Sequence, residues 1–161
     1  MKGQPIFDHE RLDAYKVELE FVAWTAILLK EVKHSADSTY REVCDQLDRG
    51  SLSALLNTAE GNGKRQGRQR AKFFDDARGS AVECAGCLDA LVAKGLTQPG
   101  RIIDGKTKLR RIVSMLSKLV ERFDESYNED AENRPRPRPS FSSSKNESLQ
   151  KEGDEDSAIE G

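Results

Sequence analysis

Strand character is what this chain most lacks. No stretch alternates apolar and polar residues as a half-buried strand would, and aromatic residues make up only 6% of the 161 positions. No apolar run approaches the roughly twenty residues that cross a bilayer. Met1 to Tyr15 carries Asp8, Glu10 and Asp13 where a secretory leader would need an apolar centre. The three cysteines are an odd number without secretory context. Together these absences exclude an all-β or membrane-spanning design and lead to the expectation of a cytoplasmic protein with no membrane partner.

Catalytic vocabulary is equally thin. The two histidines, His9 and His34, fall on one helical pattern, about 37 Å apart if the helix is continuous, so they cannot share a site within one subunit. No glycine-rich phosphate loop follows a strand, and no serine sits on a nucleophile elbow. The Cys84-Ala-Gly-Cys87 spacing resembles a redox or zinc motif, but it lies inside a helical pattern with no second pair, so small core residues explain it. Neither an enzyme nor a cofactor or metal is expected.

What the chain has is helical periodicity and charge. Charged residues are 34% and hydrophobic residues 36%. Residues 126–161 hold five basic and nine acidic residues, leaving 21 basic and 19 acidic in the first 125. The body is therefore slightly basic and the C-terminal segment acidic.

Four helices are predicted, joined by short connections, which makes the fold class all-α: an antiparallel up-down-up-down bundle over 1–125. The first runs from Asp8 to about Lys33. It has two apolar stripes, Leu12, Tyr15, Leu19, Val22, Ala23 and Ala26 on one side and Val17, Phe21, Trp24 and Leu28 nearly opposite. One core needs one face. The second stripe is either covered by other helices of the bundle or forms an oligomer interface, and the cost of wetting Trp24 and Phe21 points to the interface.

The second helix is expected from Asp37 or Ser38 to Glu60, with Tyr40, Val43, Cys44, Leu47 and Ala54 inward and Leu52, Leu55, Leu56 and Ala59 widening the stripe. Gly50 lowers its helix propensity by about 1 kcal/mol, a cost that close approach of a neighbour would explain. The third runs from about Gln66 to Lys94, with Phe74, Ala77, Ala81, Cys84, Leu88, Leu91 and Val92 inward and Gly95 as its left-handed cap. The fourth, Thr107 to about Glu125, has the cleanest amphipathic pattern. Residues 126–161 form an Arg-Pro, Ser-rich and acidic tail in which order is expected to fail, read as a solubilising extension with some capacity to assist polyanion binding.

The break between the second and third helices draws the functional expectation. Asn57, Glu60, Gly61, Asn62 and Gly63 are expected to structure the turn, with Gly61 capping the helix and Asn62 and Gly63 tolerating left-handed angles. Its charges are inverted: Glu60 lies at a helix C-terminus, and Arg68, Arg70 and Lys72 in the opening turns of the next helix, each misplacement costing about 0.3–1 kcal/mol. Two readings relieve this. Either Glu60 pairs with Arg65 or Arg68 and meets the free N–H groups of the third helix, or a phosphate sits there, held by Lys64, Arg65, Arg68 and Arg70.

The run Asn57-Thr58-Ala59-Glu60-Gly61-Asn62-Gly63-Lys64, preceded by Gln46-Leu47 and followed by Phe73-Phe74, Ser80, Glu83 and Leu88, resembles the four-helix bundle proteins associated with 23S ribosomal RNA intervening sequences. The opening Ile6-Phe7-Asp8-His9-Glu10-Arg11-Leu12-Asp13-Ala14-Tyr15 is similar as well. The chain departs from that pattern at Thr58, where isoleucine is usual, at Tyr15, where tryptophan is common, and at Asp48, where a basic residue is common. The tail after Phe123 has no counterpart. The resemblance implies a homopentamer. It also implies kinship with the accessory variability proteins of diversity-generating retroelements, which bind RNA and a reverse transcriptase through a basic surface; carried over here, the implied contacts are Lys64, Arg65, Arg68, Arg70 and Lys72. The functional expectation is a non-enzymatic, oligomeric module binding RNA or another polyanion, against the alternative of a protein-interaction or scaffold module without nucleic acid.

Overall fold

The computed structural model of the protein describes residues 4–35 and 40–132, with side chains for 4–32 and 40–124. A short 3-10 turn, Asp8–Arg11, precedes four helices: α1 Asp13–Ser35, α2 Arg41–Gly63, α3 Gly67–Ala93 and α4 Ile103–Glu132, the last entered through a 3-10 turn at Pro99–Ile102. Among the described residues there is no strand.

Cross-helix contacts run in opposite senses along three of the neighbouring pairs, which fixes the fourth. Residues 46 and 61 of α2 meet 83 and 73–74 of α3. Residues 74 and 89 of α3 meet 123 and 106 of α4, and 24 and 31 of α1 meet 105 and 101. The result is the antiparallel four-helix bundle, with α1 beside α2 and α4 and α3 closing the square.

The expected first helix is broken once: Leu12 adopts an extended conformation between the 3-10 turn and α1. At the other end α4 outruns its expected stop at Glu125, continuing to Glu132. The expected start of the second helix at Asp37 or Ser38 and the character of residues 133–161 lie outside the described residues.

The core reverses the assignment of the two α1 stripes. Val17, Phe21 and Leu28 are 4%, 1% and 0% exposed within a single chain, so they pack against the other helices and offer nothing to a second subunit. Trp24 is half-buried; it lies against Gly105 of α4, where a Cβ would meet the indole ring in a steric clash, and stacks on Phe21. The inward face also contains Glu18 and Thr25, which dilute its apolar signal, whereas Leu19, Ala23 and Ala26 of the more uniformly apolar stripe point to solvent. On α2, Leu55 is buried but Leu52 and Leu56 are exposed, so the core stripe is narrower than expected.

α2 and α3 approach closely because small residues line their contact. A Cβ on Gly50 would sit 2.9 Å from Cys84 Sγ, and the Ser53 and Ser80 hydroxyls hydrogen-bond at 2.9 Å. Cys84 donates to Leu47 O, and burial, reinforced by Cys87 and Glu83, pushes its thiol up to about 12. A thiol held protonated in a helix contact is a packing residue. Gly95, with φ of 72°, provides the expected left-handed stop after α3.

Candidate polyanion site at the break between α2 and α3

The chain reverses three residues later than the glycines suggest. α2 continues through Gly61, Asn62 and Gly63; Lys64, Arg65 and Gln66 form the connection, and α3 begins at Gly67. Gly61 does not supply a left-handed cap. It is buried inside α2 where α3 crosses, and a Cβ there would lie 3.0 Å from Phe73 Cβ and 3.1 Å from the Phe74 ring. What position 61 requires is the absence of a side chain. The series Gly50, Ala54, Thr58 and Gly61 follows the buried face of α2 past Glu60, and that continuing period was the available signal.

The remaining turn residues are helical too. Asn57 Nδ2 donates to Ser53 Oγ at 3.2 Å, and Gly63 has open space around it. Glu60 pairs with Lys64 one turn along at 2.8 Å, a partner that the expectation of Arg65 or Arg68 across the break did not include. Lys64, in the C-cap position, brings a cation to the end of α2 where the dipole favours one. That relieves half of the inverted-charge pattern.

The five candidate cations separate into distinct environments. Arg65 and Arg68 are exposed at the connection and in the first turn of α3. Lys64 stands beside them, its ammonium 4.7 Å from the centre of the Phe73 ring. Lys72 lies further along α3, paired with Asp76 at 2.7 Å, a hydrogen bond that raises its pKa. Arg70 turns away from the surface: it donates to Asn62 Oδ1 at 3.0 Å, its guanidinium lies 4.3 Å from the Phe123 ring centre, and its Nε is buried. It therefore holds α2, α3 and α4 together and leaves the anion-facing set.

The first turn of α3 contains no acidic residue, and Gln66 at the N-cap makes no side-chain capping bond. Amide N–H groups at such an end attract anions, and the exposed cations beside them add to that field. Among the described residues no group of three or more His, Cys, Asp or Glu side chains is placed to hold a metal ion.

The pattern that defines the family described as 23S rRNA-intervening sequence protein matches residues 10–118. The chain belongs to that family. No curated protein matches it. The family match spans α1, α2, α3 and the first half of α4, so the break and its cations fall inside it, whereas the acidic C-terminal segment falls outside. Thr58 donates its hydroxyl to Glu18 Oε1 at 2.8 Å, so a buried polar pair crosses the α1–α2 contact. Glu18 is 1% exposed; burial outweighs the Thr58 hydrogen bond and pushes its carboxyl up to about 8. A glutamate between Val17 and Phe21 was the sequence signal for this pair.

Among the described residues no helix is long and apolar enough to cross a membrane.

Proposed function

We propose that this protein is a non-enzymatic, homo-oligomeric module of the cytoplasm that binds RNA through the break between α2 and α3, with Arg65 and Arg68 as the principal contacts and Lys64 in support. The carrying observation is the pair of exposed guanidiniums at an N-terminus with no side-chain cap and no acid in its first turn. Membership of a family whose description refers to a 23S rRNA intervening sequence supports the same reading. Lys72, neutralised by Asp76, contributes through long-range field alone.

Assembly is assigned to the outward face of the α1–α2 hairpin. Leu19 on α1 and Leu52 and Leu56 on α2 are 46%, 43% and 63% exposed, and they flank the Glu18–Thr58 contact. Repetition of a weak basic site around a ring, the pentamer that family resemblance implies, would raise affinity by avidity. The same leucines favour a second reading, a scaffold that binds a protein partner such as a reverse transcriptase without nucleic acid.

The test is fluorescence anisotropy with a labelled single-stranded RNA. Three phosphate contacts on a single strand predict roughly a twentyfold loss of affinity between 50 and 200 mM salt. The triple variant Lys64→Ala, Arg65→Ala, Arg68→Ala should lose most low-salt binding while keeping its melting transition. Equal binding by wild type and variant at low salt would remove the break as the site and favour the scaffold.

A further inference from the structure

The acidic segment that the family match leaves out begins at the same end of the bundle as the basic break. α4 passes that end at Phe123, whose ring touches both Arg70 and Phe74 of α3. Nine residues, about 14 Å of helix, carry it to Glu132. From Glu132 to Glu147 is fifteen residues, up to about 50 Å of extended chain. That reach is ample to return along α4 to the break. Between Glu147 and Glu160 stand six carboxylates and one ammonium, Lys151. The break carries the opposite charge in Lys64, Arg65 and Arg68, of which Lys64 pairs with Glu60.

We infer that the acidic run from Glu147 to Glu160 seats on the basic break at Lys64, Arg65 and Arg68 and competes there with external polyanions. The competitive half of this inference rests on the RNA reading of the break; the contact itself does not. Charge complementarity supplies the attraction, and tethering supplies the concentration. A segment tied to the same molecule acts at an effective concentration of order millimolar, so even a contact with an intrinsic Kd of about 0.1 mM would be mostly formed and would weaken RNA binding roughly tenfold. Because the attraction is between charged groups at the surface of the break and an acidic run, the effect belongs to low and moderate ionic strength and fades as salt screens it.

The closing experiment uses the full chain and two readouts. In the neutralised variant, Glu147→Gln, Glu152→Gln, Asp154→Asn, Glu155→Gln, Asp156→Asn and Glu160→Gln, single-stranded RNA affinity should rise about tenfold at low salt, with the gain disappearing near 0.5 M salt. Carbodiimide coupling of wild type, mapped by mass spectrometry, should join Lys64 to one of these carboxylates. Affinity unchanged within about twofold, together with an unlinked Lys64, overturns the inference while leaving the RNA reading intact. Pairing of the acidic run with Arg134, Arg136 and Arg138 would give that same unlinked Lys64 and overturn it too. A cross-link at Lys64 in a protein that binds no RNA, neutralised or not, would establish the contact and overturn the RNA reading and, with it, the competition.

Discussion

Glu18 makes the stability of this bundle dependent on pH in a direction opposite to that of most salt-bridged carboxylates. Its carboxyl holds its proton up to about pH 8 in the folded chain, against 4.5 when solvated. The folded state therefore binds the proton more tightly than the unfolded one. Stability is full below about pH 4.5, declines as pH rises through the window to about 8, and levels off above it. At about 1.4 kcal/mol per unit the linkage reaches at most about 5 kcal/mol, and entry of water beside the ionised group should reduce the realised loss to about 2–4 kcal/mol.

Glu18→Gln isolates the effect. The amide keeps an oxygen for the Thr58 hydroxyl and cannot ionise. At pH 5 the variant and wild type should agree within about 1 kcal/mol, since each leaves one polar group unpartnered. At pH 8.5 the variant should be more stable by about 2–4 kcal/mol. Urea unfolding followed by helical circular dichroism, at one protein concentration and constant ionic strength from pH 5 to 9, measures both curves. Parallel curves, or a wild type that gains stability between pH 6 and 8, would refute the reasoning.

Three further predictions concern packing and assembly. Gly61→Ala should destabilise by about 1–3 kcal/mol, because the new methyl meets Phe73 and Phe74, while Gly63→Ala, in open space on the same helix, should stabilise by about 0.5–1 kcal/mol; thermal melts of the two will separate a packing requirement from a backbone one. Leu19→Glu with Leu56→Glu should give monomers by light scattering without loss of helicity, whereas Phe21→Glu should fail to fold, burying a charge that has no partner. Arg70→Ala should lower the melting temperature, in contrast to Arg65→Ala, since only the former severs Asn62 and uncovers Phe123.

The helices and their antiparallel order were legible because each carries a sustained apolar period, clearest in α4 with Leu109, Ile112 and Leu116 buried as the spacing required. Gly50 and Gly95 were legible for different reasons, one a close approach and one a positive φ. The inward face of α1 was not. Its Glu18 and Thr25 interrupt the apolar count, and periodicity alone cannot tell a core stripe with a buried polar pair from an exposed stripe of small apolar residues. Gly61 failed for a related reason: a glycine beside Asn62 and Gly63 reads as a turn, and only the position of α3 distinguishes that from a helix crossing. The cations of the break were visible as a cluster, but which of them face solvent depends on Asn62, Asp76 and Phe123, residues up to 53 positions away from Arg70.

The single tryptophan lies against Gly105, between α1 and α4. Measured along the bundle, it is roughly 20 Å from the connection at Lys64 to Gln66. Its emission is thus a built-in reporter of whether α1 is docked, and it is deaf to whatever occupies the basic end. Folding can be followed at one end of the bundle while ligand occupancy is followed at the other.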